Sequence, residues 1–310
     1  MTLRNGLMVD ASAELPHQAL LDPLLRVVPV RVLAGGQTLI DQRDASTTRQ
    51  FNDTRLDAQH AVSNRSLPLK TEEISDFVLR HVATDFDHAF GLFPARTHSP
   101  MFERAFDAAS RVIASSMPVR NAIGLKGPLL TECYDSQNLF SGYGVQVQEV
   151  LRMMSMARSQ TTIRSRLEAI IPRTVCLVAP RDWAYMHARA KAKGENINGA
   201  FGTLAARWLK LMPVITVQRG QQTVVAKARS HAQACDELFK RAAQALDDGL
   251  EAPFLNLSYS GNLQELDSIA GIVSLREKAE RRGVQVTLSE MSPANSVMLG
   301  SGALTVAFIA

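Results

Sequence analysis

The chain has 310 residues, of which 46% are apolar and 21% charged, and its 34 basic and 30 acidic side chains leave a net charge of +4. That balance argues against disorder, which needs far fewer apolar residues or a strong charge excess. With no run of Lys or Arg it also argues against a nucleic-acid patch. The length exceeds what one core usually supports, so two domains are expected.

The opening stretch MTLRNGLMVDASAELP carries Asp10 and Glu14 where a signal peptide needs an unbroken apolar run. No segment approaches the roughly 18–20 apolar residues of a membrane span, and a cytoplasmic location is expected. GLMVD (6–10), VVPVRVL (27–33), AFGLF (89–93) and PLLTECY (128–134) read as strands bounded by turn signals. Helical patterns lie between them. One begins near Thr71, with Glu72 and Glu73 in its first turn, where the helix dipole favours anions. Another begins at Ser99-Pro100, an N-cap followed by proline, and brings Phe102, Phe106, Ala109 and Ile113 round at helical spacing. This alternation predicts a mostly parallel sheet covered by helices.

The second half has a different pattern. A helical stretch from about Gln146 to Ala169 leads to strand RTVCLVA (173–179). The segment 213–228 reads as two strands around Arg219-Gly220-Gln221, a hairpin signal. A helix over 230–248, a strand at 253–259, a helix ending at Arg281-Arg282-Gly283 and a strand at 284–290 follow. Hairpins mixed with helices predict an α+β domain with a mixed or antiparallel sheet. The boundary is placed near residue 160, giving domains 1–160 and 161–310. The last eight residues, ALTVAFIA, lack polar alternation, so they are expected to form a central strand buried on both faces.

Cys133, Cys176 and Cys235 form an odd, sparse set, which suits neither a disulfide framework nor a zinc site. The sequence has no G-x-G-x-x-G after a strand, no P-loop, no H-E-x-x-H and no G-x-S-x-G. No cofactor or metal is therefore expected. The Met153, Met154, Met156 run reads as core packing, although methionine also suits a pocket for a flexible apolar ligand.

Four strand-end turns carry polar or glycine-rich chemistry. They are Asp10 to Pro16 with Ser12; Asn64-Arg65-Ser66-Leu67-Pro68; Asp135-Ser136 followed by Gly142-Tyr143-Gly144; and Gly300-Ser301-Gly302. In open α/β sheets ligands bind at the carboxyl ends of the strands, and hydroxyls with free amides there suit a carboxylate. Each also has a plain structural use: Asp10 and Ser12 as caps, Gly142 and Gly144 as a tight turn, Ser136 as a turn cap.

In their order these segments resemble the DegV family of bacterial fatty-acid-binding proteins, which includes the lipid-binding subunit of fatty acid kinase. MVDASAELP is similar to that family's D-S-T-A-D-L-P, VVPVRVLAGGQTLIDQRD to its V-V-P-L-x-V strand and glycine turn, and NRSLP to its T-S-Q-P. Asp135-Ser136 with Gly142-Tyr143-Gly144 resembles its D-S and G-x-G, KGENI with WLKLMPVITVQRGQ its K-G-G-R-I and following strand, and MLGSGALTVAF its closing H-T-G-P-G-A-L. The resemblance spans nearly the whole chain.

It implies two α/β domains holding a lipid between them, with no catalysis by the protein itself. The acyl chain would lie in an apolar tunnel, and the carboxylate would be presented to a kinase partner that makes an acyl phosphate for phospholipid synthesis. By position, Ser136 matches the serine that contacts the carboxylate and Ser66 the serine of T-S-Q-P. Three positions depart: Arg65 replaces a threonine, Asn196 an arginine and Met298 a histidine. Arg65 is then either a replacement cation for the head group or a solvated surface arginine. An enzyme acting on a small carboxylate or phosphate, and a ligand-free regulatory module, are the alternative readings.

Overall fold

The structure is a computed structural model and describes residues 4–54, 56, 61–193 and 211–310. The chain runs β1 (Asn5–Asp10), α1 (His17–Leu20), β2 (Leu25–Val28), β3 (Val30–Ala34), β4 (Gln37–Asp41), α2 (Ala45–Asp53), β5 (Arg65–Pro68), α3 (Thr71–His81), β6 (His88–Phe93), α4 (Met101–Ala122) and β7 (Leu130–Asp135). It continues through α5 (Phe140–Ser155), α6 (Gln160–Ile170), β8 (Thr174–Ala179), α7 (Trp183–Ala192), β9 (Met212–Gln218), β10 (Gln221–Ala228) and α8 (His231–Asp248). It closes with β11 (Phe254–Tyr259), α9 (Ile272–Arg281), β12 (Gln285–Glu290), α10 (Pro293–Leu299) and β13 (Leu304–Ile309).

The first sheet has the order β2-β1-β6-β7 with every pair parallel, as the alternating strand and helix patterns predict. Its inner strands β1 and β6 are buried almost end to end, which is why their sequences show no polar alternation. VVPVRVL is not one strand. Pro29 lacks an N–H to continue the ladder, so β2 ends at Val28 and β3 enters a separate antiparallel sheet, ordered β4-β3-β5. In that sheet Val32 stands opposite Ser66 and Leu33 opposite Arg65.

The second sheet has the order β10-β9-β8-β13-β11-β12. β13 lies between β8 and β11, antiparallel to both and buried throughout, as the apolar terminus requires. The sheet is mixed, because β11 and β12 pair in parallel across helix α9. The β9–β10 hairpin turns on Arg219 and Gly220, at φ 52° and 72°, the left-handed pair that matches strand twist.

Between the sheets lies α5, buried along nearly its whole length. Tyr143, Val147 and Val150 pack with Leu7 and Val9 of β1, while Phe140 and Val145 pack with Cys176 of β8 and Ala307 of β13. The expected single helix from Gln146 to Ala169 is two. It breaks where Ala157 takes φ 51°, and Ser159 Oγ caps α6 by accepting from Thr162 N–H at 3.2 Å. Met153 and Met154 are core residues, whereas Met156, at that break, is exposed.

The face of α4 also differs from its pattern. Phe106 and Ile113 are 54% and 43% exposed, and the buried stripe is Met101, Ala105, Ala108 and Val112. Small residues let α4 approach α3 and the sheet closely, and this turns the larger side chains outward.

Candidate functional site

The chain leaves β1 toward β2 on one side and later enters β6 on the other, so the strand order reverses between β1 and β6. In parallel sheets that reversal opens a crevice at the carboxyl ends. A cavity of about 480 Å³ lies there, within the roughly 300–1,000 Å³ usual for small-molecule sites. Asp10 lines it from the end of β1 and Ser12 from the turn that follows, and Pro94, His98 and Ser99 from the segment after β6. The small sheet contributes Val30, Arg31, Ser66 and Pro68. Asn295 and Met298 of α10 complete the wall from the second half of the chain.

Tyr143 fixes the reversal point. Its hydroxyl accepts from Asp10 N–H at 3.1 Å and donates to the Leu92 carbonyl at 2.5 Å, tying the ends of β1 and β6 to α5. Beyond it, Asp10 is 2% exposed, and its Oδ1 accepts from Ser12 N–H at 3.0 Å and Ser12 Oγ–H at 2.5 Å. Burial pushes the Asp10 carboxyl up to about 7, with the two Ser12 bonds pulling down and the Asp41 carboxyl pushing further up. Asp41 is pushed up to about 6 by burial, which outweighs the pull of Arg43.

A buried polar cluster joins the halves of the chain beside this point. The Glu14 carboxylate accepts from Ser258 Oγ–H at 3.0 Å, Ser292 N–H at 2.9 Å and Asn295 Nδ2–H at 2.6 Å. It lies 3.5 Å from Nη2 of Arg43, whose side chain is 3% exposed. Arg43 also donates to the carbonyls of Leu15 and Glu290 at 3.3 and 3.2 Å.

Basic side chains also line the cavity. Lys70 is exposed and Arg104 half-buried; Arg104 Nη1 donates to the carbonyls of Pro68 and Leu69 at 2.9 and 3.0 Å. Arg31 is paired with Glu73, and Lys193 Nζ donates to the His98 carbonyl at 2.9 Å. The arrangement offers hydroxyls, one buried carboxyl and several cations around an apolar body, which suits an amphiphile with a polar head.

Ser12, Ser66 and Met298 thus come together on one cavity, together with Asp10. Ser136 does not line it. It is fully buried after β7, where Oγ–H donates to the Asn138 carbonyl at 3.0 Å and Oγ accepts from Asn138 N–H at 3.2 Å. Arg65 is exposed on β5 and does not line it either, although its neighbours Ser66, Leu67 and Pro68 do. Gly300, at φ 85°, ends α10 against the Tyr185 ring, 2.9 Å from where a Cβ would stand. Ser301 Oγ accepts from Leu56 N–H at 3.0 Å. Asn196 lies outside the described residues.

Sequence reasoning misses Arg31, Lys70, His98, Ser99, Arg104 and Asn295. The segment Pro94–Pro100 follows a parallel strand, so the strand-end rule itself points to it, but it carries no glycine and its Ser99-Pro100 pair reads only as a helix start. Asn295 sits on α10, a seven-residue helix with no clear periodicity.

The fold and cavity define a class: an α/β protein with one parallel sheet, one mixed sheet and a small antiparallel sheet, whose cleft opens where the strand order of the parallel sheet reverses. The chain belongs to the DegV family, whose family model, described as "Uncharacterised protein, DegV family", matches residues 5–310. It is 31% identical over 308 residues to a DegV domain-containing protein of Xanthomonas axonopodis pv. citri, covering 99% of this chain and 98% of the other. It is equally similar to one of Xanthomonas campestris pv. campestris, with the same identity and coverage.

Solved structures share the fold. DegV of Bacillus subtilis, described as a fatty acid binding protein, superposes with a TM-score of 0.75 at 15% identity, covering 99% of both chains. A stearic acid-binding protein of Eubacterium ventriosum gives 0.75 at 15% identity over 98% of both. A DegV family protein of Thermus thermophilus, described by its fatty acid binding, gives 0.72 at 17% identity over 99% of this chain and 100% of the other.

Proposed function

We propose that this protein binds a long-chain fatty acid or a similar amphiphile and does not itself catalyse a reaction. The observation that carries the reading is the cavity of about 480 Å³ at the strand-order reversal, apolar in body and polar at Asp10, Ser12 and Ser66. The structural neighbours described as fatty-acid-binding support it. The carboxyl head would lie among Ser12, Ser66 and Asp10, with Met298 against the chain. Ser136, Arg65, Gly300 and Ser301 would then support the surrounding backbone rather than touch ligand.

The further reading is that the bound acid is presented to a kinase-type partner for acyl phosphate formation, in the cytoplasm. It rests on the DegV resemblance. The division into units 1–160 and 161–310 is likewise a proposal; α6 packs with the core of the first sheet through Ile163 and Leu167.

Mass spectrometry of organic extracts from the purified protein tests the binding function, followed by titration with saturated acids of graded length. Each buried methylene contributes about 0.8 kcal/mol, so removing two carbons should weaken binding roughly tenfold. No co-purified amphiphile together with flat affinity across the series would overturn the reading.

A further inference from the structure

Asp10 adds a buried carboxyl to the polar wall of a cavity proposed to take an acid. It lines the cavity, is 2% exposed, and has one oxygen occupied by both Ser12 donors. The Asp41 carboxyl on β4 repels it. Arg43 lies with Glu14 and Asp41, and the wall residue contributed near the end of α10 is Met298. The Tyr143 hydroxyl from α5 is committed to Asp10 N–H and the Leu92 carbonyl. Other charged or titratable groups on the cavity are His98, Arg31, Lys70, Arg104 and Lys193. An anionic head group seated against Asp10 would place two carboxyls side by side in a buried site. Such a pair does not ionise twice; it holds one proton between its oxygens.

We propose that Asp10 determines which head groups this cavity accepts, by binding a carboxylic acid together with one proton shared between the two carboxyls. The proton is taken from solvent as ligand enters and returns on release. Burial, which already holds the Asp10 carboxyl near neutrality, supports this. A carboxylic acid can share the proton because its basicity is close to that of Asp10. A sulfate or sulfonate head is too weak a base to share it, and receives at most an ordinary hydrogen bond from protonated Asp10. The inference rests on the amphiphile-binding reading and specifies its head-group chemistry.

The test compares decanoic acid, decyl sulfate and decanol on wild type and Asp10→Asn, from pH 6 to pH 9. Wild type should lose close to tenfold in affinity for the acid per pH unit above about 7. It should also bind the sulfate at least tenfold more weakly than the acid at pH 6. In Asp10→Asn the acid should lose its slope above pH 7 and the sulfate penalty should shrink, since an amide donates at every pH. Decanol should be insensitive to pH in both. Calorimetry of wild type in buffers of different ionisation enthalpy should read one proton taken up per acid at pH 8, whether or not the variant folds. A flat pH profile, no proton uptake, or the same slope in Asp10→Asn overturns the inference while leaving amphiphile binding intact. Failure of all three ligands to bind overturns both.

Discussion

A Cβ on Gly144 would stand 1.9 Å from the carbonyl oxygen of Glu14. The chain after β1 is therefore pressed directly on α5, and Asn256 of β11 reaches the same place, with Nδ2 donating to the Glu14 carbonyl at 2.9 Å. Gly142 is similar: its Cβ would lie 2.0 Å from Asn138 Oδ1 and 2.8 Å from the Cys176 side chain. These glycines lie within a helix rather than forming a tight turn, and they make room for strands from both sheets.

Gly144→Ala should accordingly destabilise the protein by about 2–3 kcal/mol or more, since a backbone carbonyl cannot swing aside as a side chain can. Urea unfolding reads this as a lower midpoint. An unchanged midpoint would mean that α5 can slide away from the β1 turn at no cost.

Glu14→Ala should cost about 3–5 kcal/mol, because it removes the carboxylate paired with the buried Arg43 guanidinium and frees the donors of Ser258, Ser292 and Asn295. The double variant Glu14→Ala with Arg43→Met should recover part of that loss. If the double variant is no more stable than the single one, the pair is not coupled as the geometry requires.

Stability should fall as pH rises from about 4 to about 7. Folded Asp10 titrates near 7 and Asp41 near 6, against 3.8 for the unfolded chain. Between those values the folded state retains protons that the unfolded state has released, so this stabilisation is complete below about pH 4 and lost on passing the folded values. Glu73 and Glu132, held low at about 2 by Arg31 and Arg164, work the opposite way and matter below about pH 4. Urea titrations at several pH values should show Asp10→Asn losing less stability over the window than wild type. An equal loss in both would place the titration elsewhere.

Ser66 and Ser136 should separate binding from stability. Ser136→Ala removes two hydrogen bonds to Asn138 in a buried turn and should cost about 1–3 kcal/mol without changing ligand affinity. Ser66→Ala, on the cavity wall, should change stability by less than about 0.5 kcal/mol and weaken binding severalfold. The reverse pattern would move the head group to the turn after β7.

The sequence by itself determined the elements whose signal is local. Continuous apolar runs marked β1, β6 and β13 because strands buried on both faces need no alternation. Arg219-Gly220 marked its hairpin because that turn demands left-handed backbone. The ordered motifs also carried the family. Only the tertiary structure decided which face of α4 is buried, that Pro29 divides a strand between two sheets, and that Ser66 meets Asp10 and Ser12 while Ser136 and Arg65 do not. Those outcomes depend on how closely distant segments approach and on which neighbours desolvate a group. Gly144 against Glu14, or Asp10 held near neutrality by burial, follows from packing across the chain, and no local window of residues contains it.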